Sequence, residues 1–299
     1  MSITLQPITQ EFVAEVGDVD LSRPLSMEDE AAIKQAFAKY AVLIFPAQTL
    51  NEDSQLAFAR RFGPLETSIR AYRPDETTRL KRAEMSDISN IDDRGEIWAA
   101  DSRIRQYKAG NRLWHTDSSF KYVPARASLL YAMAIPPIGG HTEFADARAA
   151  YDALPGEMKA RLEGLVAEHS LFNSRARIGF VEWNATEREK LEVVPQAMVR
   201  THPDSGRRHL YLASHAGRIV GMPEVKGRAL IDVLLAHCGQ RQFVYTHRWR
   251  LNDLVMWDDR CTLHRALGYD DLRYQRDMLR ATVSDEINSV EREGLTVAA

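Results

Sequence analysis

Cysteine is nearly missing from this sequence: Cys238 and Cys261 are the only two in 299 residues. That scarcity excludes a disulfide scaffold and any zinc or iron–sulfur site built mainly from thiolates. Long apolar runs are missing as well. The aliphatic stretch at 41–45 falls far short of the roughly 18 residues a membrane span requires, so no membrane association is expected. Neither charge sign dominates, because 39 Lys and Arg face 42 Asp and Glu for a net charge of −3. Nucleic-acid binding draws on a basic surplus that displaces counterions from phosphates, and none is expected here. The short basic clusters at 79–82 and 206–208 read as solvated loops. The opening MSITLQPITQEF lacks a basic stretch leading into an apolar one, so the expected compartment is the cytoplasm. No repeat, low-complexity tract or Pro/Gly/Ser-rich linker divides the chain, and residues 1–299 are expected to form a single domain.

What is present begins with helices and ends with strands. Ser26, with Asp29 three residues on, resembles a capping box ahead of Ala31, Ile33, Phe37 and Tyr40 at helical spacing. Asn51 caps a second segment that stops at Gly63-Pro64. Residues 146–165 and 224–238 also read as helical. Residues 242–249 are aromatic and β-branched, Asn252-Asp253 marks a turn, and Leu254 to Trp257 follows as a strand. From Arg276 to Ser284 the pattern alternates, with Arg276, Met278, Arg280 and Thr282 on one face. The weakly periodic stretch from Glu66 to Gly110 holds one expected strand at 87–91 and otherwise reads as a lid over an active site. Within it Arg70, Tyr72 and Arg73 read as solvated loop residues, with contact to a substrate carboxylate as the alternative.

Nine histidines make metal binding worth testing. A His-x-Asp/Glu step on a strand puts both side chains on one face, about 6.6 Å apart along the backbone, within reach of one ion. Nine histidines, each followed two residues later by an acid with probability 42/299, give about 1.3 such steps by chance. The chain has three: His115-Thr-Asp117, His141-Thr-Glu143 and His202-Pro-Asp204. Pro203 and the following Ser-Gly turn the third into a loop. His141 begins an element directly after Gly139-Gly140 and stays a rival to His115, and for either pair a structural histidine is the plainer alternative.

Four blocks settle the matter by resemblance. Trp114-His-Thr-Asp-Ser-Ser-Phe120, Gly139-Gly-His-Thr-Glu-Phe-Ala-Asp146, Trp257-Asp-Asp-Arg-Cys-Thr-Leu-His264 and Arg276-Asp-Met-Leu-Arg280-Ala-Thr282 occur in family order. Together they resemble the taurine/2,4-dichlorophenoxyacetate dioxygenase family, whose members are Fe(II)- and 2-oxoglutarate-dependent oxygenases. The similarity runs from Gly17 over nearly the whole chain and is strongest to the phenoxyacetate branch.

The resemblance implies a mainly β fold with flanking helices, a cupin-like double-stranded β-helix or jelly roll. It implies His115, Asp117 and His264 as iron ligands, a two-histidine, one-carboxylate triad that suits ferrous iron with open positions. A zinc hydrolase can use the same ligand types, so the triad alone leaves the metal open. Arg276, with Thr142, is implied to hold the distal carboxylate of 2-oxoglutarate, a task suited to a guanidinium. Arg280, on the same strand face, is implied to grip the acidic head of the primary substrate or to assist the cosubstrate. Trp257 is implied to pack beside the iron, and Asn111 and Ser118 to line the substrate pocket with His202 and His215. His141 replaces an aspartate common in the family, which leaves His141 and Glu143 outside the ligand set. The implied reaction hydroxylates an aryloxyalkanoic acid such as 2,4-D between ether oxygen and carboxylate, giving a phenol and glyoxylate with succinate and carbon dioxide. Ascorbate is expected to stimulate it, and the enzyme to form a homo-oligomer. Other small acids (a sulfonate, an arylpropionate, an indole acetate) and a non-catalytic binding protein are the alternatives.

Overall fold

The computed structural model describes residues 3–72 and 78–296. Arg73 therefore lies outside the described residues. The principal sheet runs Thr4–Pro7, Val13–Gly17, Val42–Phe45, Leu254–Asp258, Ala125–Ala134, Asp277–Ser284, Met85–Asp87. Neighbours are antiparallel except Val13–Gly17 against Val42–Phe45. A smaller antiparallel sheet centres on Thr142–Asp146, with Val244–His247 on one side and Thr262–Ala266 on the other.

Strand alternation explains how the two sheets close on each other. Val42 and Ile44 point inward with Leu130, Val255, Trp257 and Met278, where they meet Phe144 of the smaller sheet. Leu43 and Phe45 point outward, against Ile33 and Phe37 of helix Met27–Tyr40 and Leu56 and Phe58 of helix Glu52–Ala59. Each such side chain stabilises the fold by about 1.5–3 kcal/mol when fully buried. Behind the smaller sheet, Ala145 and Leu263 pack against Leu230, Ile231 and Leu234 of helix Glu224–Cys238. Two facing antiparallel sheets with helices outside make a jelly roll, as expected.

Local expectations hold where the signal is local. Ser26 accepts from the Asp29 amide, and Asn51 and Ser54 form a reciprocal capping box. Three expectations need correction. Residues 146–165 form two short helices, Ala147–Asp152 and Gly156–Leu162, because Pro155 lacks an amide donor and disfavours helix at Leu154. The strand expected over 242–249 is only Val244–His247, entered through a 3-10 turn at Arg241–Phe243. The strand expected at 87–91 is Met85–Asp87, although the Ile88 and Asn90 amides continue to bond the Met278 and Arg276 carbonyls at 3.0 and 3.2 Å.

Gly139 and Gly140 both have positive φ, and a Cβ on Gly139 would meet the Gly268 carbonyl at 2.7 Å. This turn aims Thr142 into the roll. Segment 66–110 carries the 3-10 turn Ile69–Tyr72 and helix Arg103–Lys108, and is tied down by Arg79 to Asp277 and by Arg105 to Asp271.

Candidate active site

His115 and His264 are paired before any ligand is considered. Each donates its backbone amide to the other's carbonyl, at 3.0 and 2.7 Å, so His115 extends the edge of the smaller sheet. The rings lie 4.2 Å apart, centroid to centroid. The Nδ1 of His115 bonds the Leu113 carbonyl at 2.7 Å, which leaves Nε2 as the lone-pair nitrogen facing the cluster. Asp117 completes the group, its Oδ2 3.7 Å from His264 Nε2. One donor atom from each residue lies within 4.8 Å of the others, so small side-chain adjustments bring all three onto one ion.

Asp117 is held from several directions. Ser128 Oγ donates to its Oδ2 at 2.7 Å, and Arg280 Nη1 donates to its Oδ1. The Asp259 carboxylate accepts from the Asp117 amide at 2.9 Å and from Trp257 Nε1 at 3.0 Å. Trp257 in turn lies 4.7 Å from the His264 ring. Burial opposes ionisation of Asp117, yet the Arg280 guanidinium, with the Ser128 hydroxyl, outweighs it and holds the carboxyl down at about 2. Burial pushes both imidazoles below the ordinary histidine range, so each is a neutral donor at pH 7. Burial, with Asp117 alongside, pushes the Asp259 carboxyl well above its ordinary value.

Arg276 borders a recess of about 30 Å³ shared with His115, His264, Thr142, Trp257 and Arg280. Its Nε donates to the Gly140 carbonyl at 3.1 Å and its Nη1 to the Ile88 carbonyl at 3.4 Å. Among the described residues it has no carboxylate partner, and burial pushes its pKa down to about 10. Thr142 faces the same recess and accepts from Trp249 Nε1 at 3.0 Å.

A second cavity of about 130 Å³ reaches Asp117, His115 and Arg280 from the other side. Asn111 lines both spaces. Ile69, Ile88, Phe120 and Leu171 supply apolar wall, while His215 bonds Ser119 Oγ at 2.9 Å and lies edge-on to Phe120. Arg70 also lines this cavity, which corrects its reading as a solvated loop residue.

Two expected pocket residues are elsewhere. Ser118 adopts φ 51° and donates to Glu66 at 2.6 Å, in a side recess rather than the main cavity. His202 lies away from the cavities around the cluster; its Nε2 bonds Asp258 at 3.0 Å. Alternation is the reason: Trp257 and Asp259 point to the cluster, so Asp258 and its partner lie on the opposite face. Glu143 is taken by Arg265 at 2.7 Å, which separates it from His141 as expected.

Sequence reasoning missed Ser128, Asp259 and Arg175. The acid pair after Trp257 was a visible cue to Asp259, since only one of two adjacent strand residues can face the cluster. Arg175 had no local cue. It arrives on helix Leu171–Ala176 to line the second cavity, its guanidinium lying against Gly110, where a Cβ would come within 2.3 Å of Nη1 and displace it.

Similarity to known proteins runs over nearly the whole chain. A family model described as taurine catabolism dioxygenase TauD, TfdA family matches residues 4–282. The chain is 43% identical over 286 residues to the alpha-ketoglutarate-dependent 2,4-dichlorophenoxyacetate dioxygenase of Cupriavidus pinatubonensis, covering 96% of this chain and 99% of that relative. It is 35% identical to the (S)-phenoxypropionate/alpha-ketoglutarate-dioxygenase of Sphingobium herbicidovorans, covering 89% of this chain and 90% of the relative. A solved structure of AAD-2 in complex with Mn(II) and N-oxalylglycine superposes with a TM-score of 0.88 at 44% identity, covering 97% of this chain and 99% of that one. Shared over nearly its full length in both sequence and fold, this chain belongs to the TauD/TfdA dioxygenase family.

Proposed function

We propose that the protein is an Fe(II)- and 2-oxoglutarate-dependent dioxygenase that hydroxylates an aryloxyalkanoic acid of the 2,4-D type at the carbon between ether oxygen and carboxylate. The observation that carries this reading is Arg276, a buried guanidinium with no carboxylate partner among the described residues, bordering the same recess as His115 and His264. A buried charge is costly unless paired, so the recess suits an anion. Two neutral imidazoles and an ionised carboxylate fit ferrous iron, and an adjacent anion seat favours it over a hydrolytic zinc.

When bound, the iron and 2-oxoglutarate supply the oxidising chemistry, with dioxygen giving one atom to succinate and one to the substrate. His115, Asp117 and His264 would hold the metal; Ser128 and Arg280 keep Asp117 ionised, and Asp259 anchors its backbone amide. Arg276 and Thr142 would take the distal carboxylate. Asn111, Phe120 and His215 shape the neighbouring cavity, whose apolar wall suits an aromatic ring and excludes water. The hydroxylated carbon carries an ether oxygen, so the product is a hemiacetal that collapses to phenol and glyoxylate. Segment 66–110 would act as a lid over the single domain. We place the enzyme in the cytoplasm as a homo-oligomer, which size-exclusion chromatography tests; no described helix is long and apolar enough to cross a membrane.

The test is succinate release across a panel of acids under Fe(II) and 2-oxoglutarate. Phenoxyacetates should turn over fastest and release phenol and glyoxylate in equal amounts. Faster turnover of a sulfonate or indole acetate would redirect the substrate, and no turnover with any acid would leave a binding protein. Arg276→Gln should weaken N-oxalylglycine binding by about 30-fold or more, the effect of removing about 2 kcal/mol of charge pairing.

A further inference from the structure

Arg276 borders a third cavity, the roomiest of those around the site at about 330 Å³. This space shares Ile88, Asn111, Ala266 and Arg276 with the small recess, but contains none of the three clustered ligand residues. Its charge differs from that of the cavity reaching Asp117. Among the described residues it is lined by four cations, Arg105, Lys108, Arg112 and Arg276, against one carboxylate, Asp271. The cavity reaching Asp117 is nearly balanced, with five cations and four carboxylates.

The single carboxylate is already occupied by the rim. Asp271 accepts from Arg105 Nη2 at 2.8 Å and from Arg112 Nη2 at 3.0 Å, one oxygen each. Arg112 is half-exposed, whereas Arg105 is more enclosed and its buried Nε has no partner among the described residues. Cationic side chains thus run from solvent at Arg112, past Arg105, to the buried Arg276.

We propose that this cavity is the passage by which the dicarboxylate cosubstrate enters and succinate leaves, separate from the route taken by the acid being oxidised. The proposal rests on the reading of Arg276 as the cosubstrate's seat. An incoming carboxylate displaces Asp271 from Arg112, passes Arg105 and pairs with Arg276. A dianion is drawn to the strongly cationic opening, while an aromatic monoacid fits the more apolar, balanced one. Succinate can then depart without the aromatic product having to leave first.

The passage is tested by stopped-flow tryptophan fluorescence on Mn(II)-loaded protein mixed with N-oxalylglycine, since Trp98 lines the cavity and the Trp249 ring lies 6.0 Å from the Arg276 guanidinium. Arg112→Glu should slow association about tenfold at low salt and remove most of its ionic-strength dependence. Ala109→Trp, which narrows the passage, should slow association and dissociation together and leave Kd nearly unchanged. Phenoxyacetate binding to either variant should match wild type, which also reports that the variants are folded. Unchanged N-oxalylglycine rates in both variants, or a Kd loss carried by dissociation alone, would overturn the passage. Failure of wild-type protein to bind N-oxalylglycine would instead overturn the reading of Arg276.

Discussion

Among the described residues the fold buries two sets of potential metal ligands, His115, Asp117 and His264 in one place and His202, Asp258 and Cys261 in another, each with donor atoms within 4.8 Å of one another. Their surroundings differ. Asp258 accepts from His202 at 3.0 Å, from Arg260 Nε at 2.8 Å and from the Arg260 amide at 3.0 Å, and Arg260 reaches on to Asp204 at 2.8 Å. The Arg260 guanidinium therefore stands where an ion would sit. Burial pushes the Cys261 thiol up to about 12, so it offers no thiolate at neutral pH. Around Asp117 a guanidinium also intrudes, but both imidazoles are neutral and two cavities open onto the group. An imidazole and a carboxylate are common to the two sets; the third donor, unspent acceptor capacity and access are not.

The sharpest way to break this contrast is to remove one histidine from each set. His115→Ala should lower Mn(II) or Fe(II) affinity by more than the roughly 10–100-fold that losing a supporting hydrogen bond costs. His202→Ala should leave that affinity unchanged in the same calorimetric titration. Equal losses would mean that the second set also binds metal.

Stability should respond in the opposite order. Asp258→Ala strands Arg260 and His202 in the interior and should cost about 3–5 kcal/mol in urea unfolding, with the metal affinity of the folded protein retained. A loss below about 1 kcal/mol would show that the Asp258 network is not what secures this end of the roll.

pH sharpens the comparison further. Protons compete with metal for an imidazole, and burial has pushed His115 and His264 below the ordinary range, so competition should set in only at lower pH. Mn(II) affinity should therefore stay nearly flat from pH 7.5 to 6.0, where two ordinary imidazoles would lose about tenfold. A tenfold drop over that interval would mean the rings are not desolvated as described.

The smallest effect is expected at the rival step. His141→Ala should change metal affinity less than twofold, because Glu143 is committed to Arg265 and the pair shares no ion.

Legibility followed the range of the interaction. The inward face of Asp277–Ser284 could be read directly, since alternation needs only neighbours along one strand, and the structure has Met278 inside with Leu279, Ala281 and Val283 outside. The break at Pro155 was underweighted although its cause is local. Ser118 and His202 were misplaced because their directions depend on partners far along the chain, Glu66 for one and Asp258 for the other. Arg175 could not be foreseen, since its position depends on a gap at Gly110 that exists only once two distant segments pack.

By itself the sequence determined residue types, strand faces and helix caps, all set by chemistry within a few residues, and its four motif blocks pointed to the family. Local spacing left His115-Thr-Asp117 and His141-Thr-Glu143 as equals. Tertiary structure decided between them: both flank the His264 strand, but His115 pairs directly with His264, whereas the register on the other side sets Phe144 opposite His264 and turns Glu143 away to Arg265, a choice of face that depends on which distant strands meet.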